Sequence, residues 1–158
     1  MREEEIKMKK ICFFTAGVLP VPPVKGGAGE NLVKLILDEN EKSHGADFSV
    51  ASMYDSAAEE EGLKYKHCDF LFVKIPLLVS MADRLLYFLA RMLLKEKALS
   101  FRMIFARLWY INRAKKHFLQ HDFDCIVAEN HVSLFLVMKD RRLCRNRKKE
   151  RLVCTVIF

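Results

Sequence analysis

The residues whose types and spacing could do chemistry begin with "VKGGAGE", Val24 to Glu30. Gly26, Gly27 and Gly29, with Ala28 among them, free the backbone for positive φ and for close approach to a ligand. Set before a helix, such amides offer an anion unsatisfied donors and the positive end of the helix dipole, the chemistry of a phosphate cradle. The Lys-Ser/Thr pair of a P-loop is missing and the spacing is not GxGxxG. A plain turn between strand and helix therefore explains the glycines equally well.

A second group is "VAENHV", where Glu129, Asn130 and His131 follow an apolar run. A carboxylate, an amide and an imidazole together can hydrogen-bond sugar hydroxyls. The competing structural reading makes Asn130 a helix N-cap and Glu129 a loop charge.

The third group is basic. Leu77 to Gln120 holds nine Lys and Arg against two acids, and Lys139 to Phe158 holds eight against two, within a chain of net charge +7. Arg84, Arg91, Arg102, Arg107 and Arg113 are interleaved with Phe88, Phe101, Phe105, Trp109 and Tyr110, the composition of helices lying on an anionic membrane surface. A solvated face over a core stripe is the bland alternative. No DNA- or RNA-binding module is recognisable, so nucleic acid is not an expected partner.

Metal chemistry is not expected. The five cysteines form no CxxC pair, and three of them lie in apolar, strand-like contexts where a thiol is a small buried hydrophobe. His44 and His67 read as solvated, and His117 and His121 as helix-terminal residues. The opening "MKKICFFTAGVLPVPPV" imitates a secretory signal, but "MREEE" precedes it and three prolines break it, which favours a cytoplasmic chain. No uncharged apolar run approaches the ~20 residues of a spanning helix.

These groups must be positioned by a regular alternation of elements. "KICFFTA" is a continuous apolar run of the kind buried in a parallel sheet. The glycine loop follows, then a helix over "ENLVKLILDENEKSH", with Leu32, Val33, Leu35 and Ile36 on its apolar face and Gly45 at its end. "DFSVASMY" and "DFLFVKIP" read as strands flanking a polar loop or short helix. Leu77 to Gln120 reads as two helices breaking near Leu99 and Ser100. One carries Leu85, Leu86, Leu89, Met92 and Leu93 on a side, the other Phe101, Ile104, Phe105, Leu108 and Ile111. "DFDCIVAEN" is a fourth strand, His131 to Arg142 a helix, and "RLVCTVIF" a fifth strand. The expectation is one α/β domain over residues 1–158: a Rossmann-like parallel sheet with helices on both faces. Ligands then bind at the carboxyl ends of the strands.

The order strand, Gly-Gly loop, long helix and second strand in "KICFFTAGVLPVPPVKGGAGENLVKLILDENEKSHGADFSVAS", together with "VAEN", resembles the N-terminal domain of family 4 retaining GT-B glycosyltransferases, which include many bacterial capsule and cell-surface polysaccharide enzymes. The resemblance implies that Gly26, Gly27, Ala28 and Gly29 lie near the diphosphate of a nucleotide-sugar donor, with no metal or other cofactor. It implies acceptor contacts for Glu129, Asn130 and His131, with a glycan or lipid-linked acceptor reached at the inner membrane face. The chain departs from the family pattern too. It ends at Phe158 within the fifth strand, before the family's histidine-bearing loop and its second, nucleotide-gripping domain with paired glutamates. No E-x7-E with that context is present: Glu30 and Asp38 are eight apart, but they lie on the first helix. The expectation is thus an acceptor-side half with no catalytic residue of its own, inactive alone. The alternative is a non-enzymatic Rossmann-like module for a phosphorylated ligand or a membrane surface.

Overall fold

A computed structural model describes residues 8–94, 102–129 and 151–155 of the chain. Five strands, β1 (Lys9–Phe14), β2 (Ala46–Met53), β3 (Cys68–Val73), β4 (Cys125–Glu129) and β5 (Arg151–Thr155), form one sheet in the order β3-β2-β1-β4-β5, every pairing parallel. The helices are α1 (Ala28–Ser43), α2 (Ser56–Gly62), α3 (Leu77–Leu94) and α4 (Ile104–Gln120). The fold is the expected Rossmann-like α/β sheet. The helix expected over residues 131–142 lies outside the described residues.

Side-chain alternation along β1 divides the core in two. Cys12 and Phe14 point to one face, where they meet Ala51, Val73, Ile126 and Ala128 beneath Tyr110, Ala114 and Phe118 of α4. Phe13 points to the other, with Val50 and Phe48 beneath Val33 and Leu37 of α1. Strands buried on both faces need apolar residues at consecutive positions, which "ICFF" supplies. The Cys12 thiol belongs to this packing, and burial pushes its pKa up to about 12.

The helices bury narrower faces than their apolar residues suggest. On α1 the buried residues are Glu30, Val33, Leu37 and Asn40, while Leu32, Leu35 and Ile36 are exposed. On α4 the inner face is Ala106, Tyr110, Ala114 and Phe118, a four-residue repeat, and the expected stripe residues Phe105 and Leu108 face outward. Small residues let α4 lie close to the sheet, with Tyr110 filling the gap.

The end of α1 differs from the expected glycine stop. His44, not Gly45, takes the left-handed conformation at φ 45°, and the buried Asn40 side chain closes the turn. Its amide oxygen accepts from the Gly45 and Ala46 amides at 3.1 Å each, and its nitrogen donates to the Ala46 carbonyl at 2.9 Å. A satisfied Asn here removes the need for a glycine.

Candidate functional site

The chain winds outward from β1 through β2 to β3, then crosses back to β4 on the other side of β1. The strand order reverses between β1 and β4, so the crevice beyond their carboxyl ends is the switch point at which such sheets bind ligands. The glycine loop enters α1 at this edge. Gly26 has φ 79° and Gly27, the N-cap residue, has φ 114° and ψ 128°, conformations that side chains resist. No side chain caps the helix, which leaves its first amides to water or a ligand. The exposed Gly26 has open space where a Cβ would stand.

The loop is anchored behind its tip. Val21 and Pro22 are fully buried, and the Val21 amide donates to Ser52 Oγ at 2.7 Å. Gly17, at φ 67°, lies so close to the Tyr110 ring that a Cβ would approach Cδ1 to 2.5 Å. The Tyr110 hydroxyl donates to the Ala51 carbonyl at 2.7 Å and lies 3.1 Å from Thr15 Oγ1, which itself donates to Ala51 O at 3.1 Å. This knot joins α4 to the ends of β1 and β2 just below the loop. The run from Val24 to Gly26 is exposed, as are Val18 before it and Ala28 after it.

Charge at this edge is mixed. Lys25 pairs with Asp55 at 2.6 Å, and Asp55 also caps α2 by accepting from Ala57 N at 3.0 Å. Lys25 holds the Asp55 carboxyl below its ordinary pKa. Lys74, just past β3, sits 3.9 Å from the centre of the Tyr54 ring. Glu30, in the first turn of α1, is buried with its carboxylate folded over Gly27. A negative group there competes with an incoming anion for the same amides.

Of the expected site residues, Gly26, Gly27, Ala28 and Gly29 therefore stand together at the helix entrance, and Glu129 ends the neighbouring strand β4. Asn130 and His131 lie outside the described residues. Sequence reasoning missed Glu30 as the group facing the glycines, as well as Thr15, Gly17, Tyr110 and the Lys25–Asp55 pair. Glu30 was legible as an acid three residues past Gly27, the capping-box spacing. Tyr110 was not, since its partners lie up to 95 residues away.

Arg84, Arg91, Arg102, Arg107 and Arg113 are all exposed. Beside the first two, α3 carries an exposed apolar arc of Leu77, Leu78, Met81, Leu85, Phe88, Leu89, Met92 and Leu93, with Phe88 59% and Leu93 82% exposed. The inner side of α3 is instead Asp83 and Ala90. The Asp83 carboxylate accepts from the Phe105 and Ala106 amides at 2.9 and 2.8 Å, capping α4 from the adjacent helix. Among the described residues no helix is long and apolar enough to cross a membrane.

The four described histidines gather at the opposite, amino edge of the sheet. His44 stacks on His67 with ring centres 3.5 Å apart, and His117 lies 4.2 Å from His121. His44, the exposed C-cap of α1, and His67, just before β3, are surface residues as expected, and they stack on each other. Among the described residues no three His, Cys, Asp or Glu side chains are grouped to hold a metal ion.

Fold and loop together define an α/β chain with a Rossmann-like parallel sheet and a glycine-lined helix entrance at its switch point. No family model, no curated protein and no solved structure matches it.

Proposed function

We infer that this chain is the acceptor-side half of a retaining GT-B glycosyltransferase, which moves a sugar from a nucleoside diphosphate sugar to a glycan or lipid-linked acceptor. The observation that carries this reading is the seating of Gly26 and Gly27, both at positive φ, at an uncapped helix start beside the switch point. In this reading the Ala28 and Gly29 amides face the donor diphosphate. They stabilise its growing charge as the glycosidic bond to the sugar breaks, without a metal. Glu129, with Asn130 and His131, contacts the acceptor from the adjoining strand end. The domain that grips the nucleotide lies outside these 158 residues. With Glu30 opposing the anion, this half alone binds donor weakly and transfers nothing.

The test is an amide-resolved titration of the chain with uridine diphosphate and guanosine diphosphate, each used as a probe. Shifts centred on residues 26–30 that vanish in Gly27→Val are expected. Refutation comes from a titration without shifts at those amides, or from sugar transfer by the 158 residues alone.

The bare apolar arc of α3, bordered by Arg84 and Arg91, supports a peripheral seat on an anionic inner membrane face. It equally favours the second reading, a non-enzymatic docking module. Binding to anionic vesicles should fall steeply with salt, since each base near the surface contributes about 1 kcal/mol. Charge reversal at Arg84 and Arg91 should abolish binding if α3 makes the contact; unchanged binding after reversal at Arg102, Arg107 and Arg113 would remove α4 from it.

A further inference from the structure

A cavity of about 450 Å³ lies over the free edge of the sheet, between β3 and α4, and it includes none of the glycine-loop residues. Its floor is Leu71 and Val73. Lys74 stands at the strand end, and α4 contributes Arg113, Lys116, His117 and Gln120, a stripe at helical spacing i, i+3, i+4, i+7. The volume falls in the range of small-molecule sites. No carboxylate lines it.

We propose that this groove binds a phosphate group, held by Lys74, Arg113 and Lys116 over the apolar floor. The first reason is the pattern of ion pairing. Among the described residues no acid lies within ion-pair distance of Lys74, Arg113 or Lys116, which is also true of bases such as Arg84 and Lys115, but these three line one groove that holds no carboxylate. The second is that Arg113 and Lys116 are like charges three residues apart on one helix, which destabilises α4 unless an anion relieves it. The third is chemical: three cations suit a dianion better than a single carboxylate, the planar guanidinium matches phosphate oxygens, and Gln120 adds a neutral donor. His117, half-buried at the groove, can donate a further hydrogen bond. Arg113 and Lys74 are already held by aromatic partners, Arg113 at 5.2 Å from the Trp109 ring and Lys74 over Tyr54. Such tethering lowers the ordering cost of binding.

The same phosphate chemistry is carried by a soluble phosphate ester and by a phospholipid headgroup. The proposal does not depend on the glycosyltransferase reading, because this groove and the glycine loop lie on different parts of the sheet.

Trp109 is the chain's only tryptophan and is stacked against Arg113, so its fluorescence reports on the groove. Inorganic phosphate, titrated against chloride at matched ionic strength, should change that fluorescence saturably and raise the melting temperature. Lys74→Gln/Lys116→Gln should weaken both responses at least tenfold, while Lys42→Gln, an exposed lysine on α1 outside the groove, should leave them intact. Vesicles of phosphatidylcholine with and without phosphatidic acid separate the sources. If phosphate competes with phosphatidic acid vesicles for the fluorescence response, the ligand is a headgroup. If phosphate responds and the vesicles do not, it is soluble. A response matched by chloride, or one unaffected by the double substitution, overturns the proposal.

Discussion

Glu30→Gln tests the glycine loop most directly, because Glu30 occupies the space a donor phosphate would need. A side-chain carbon on Gly27 would lie 2.9 Å from the Glu30 carboxyl carbon. An anion on the first amides of α1 would then sit within about 5 Å of a full negative charge, a repulsion of about 2–3 kcal/mol per charge at an effective dielectric constant of roughly 20–30. In the free protein the carboxylate gains about 0.5 kcal/mol from the helix dipole. Removing the charge should therefore tighten pyrophosphate binding by about 30-fold, since 1.4 kcal/mol is about tenfold, and lower stability by about 0.5 kcal/mol. Calorimetric titration at fixed ionic strength and urea unfolding measure the two effects. Unchanged affinity would mean the anion is not seated over Gly27. Weaker binding by a folded variant would mean that Glu30 holds the ligand itself, and either result refutes the geometry argued for the cradle.

Other perturbations address the framework beneath the loop. Gly17→Ala forces a Cβ against the Tyr110 ring at positive φ and should cost about 3 kcal/mol in urea unfolding. Tyr110→Phe removes the hydroxyl shared by Ala51 and Thr15 and should cost about 1 kcal/mol, since Thr15 still donates to Ala51. Asp83→Ala strips two amides of α4 of their acceptor and should cost about 2 kcal/mol, with faster hydrogen exchange at Phe105 and Ala106. Burial, and then His121, hold the His117 pKa below its ordinary 6.5. Folding therefore favours neutral His117, so its contribution is complete above pH 6.5 and is lost as pH falls below that value. A urea midpoint that fails to fall between pH 7 and 5.5 faster than that of His117→Asn contradicts this.

The sheet was legible because strands buried on both faces write themselves as unbroken apolar runs, and "ICFF" has no other economical explanation. Turn chemistry was legible at Gly26 and Gly27 for a similar reason, since few residues accept their backbone. What escaped was every feature set by distant partners. Gly17 looks like any glycine after a strand until Tyr110 is placed over it. Lys25 looks like a free cation available to a phosphate until Asp55, thirty residues later, is placed 2.6 Å away.

The helices fail in a more instructive way. Amphipathic spacing reports that two faces of a helix differ, but it does not say which one is turned inward. On α3 the wide apolar arc was the natural core face, yet the structure turns Asp83 and Ala90 inward instead. The capping demand of α4 explains why: Met103 offers no side-chain cap, and the part-buried Phe105 amide and the buried Ala106 amide must find an acceptor. Asp83 is the acid on α3 that supplies it, and rotating α3 to bury its leucines would withdraw that carboxylate. The exposed apolar arc is thus a consequence of Asp83 capping α4. It hands α3 a surface that water disfavours, and an anionic membrane beside Arg84 and Arg91 would cover it.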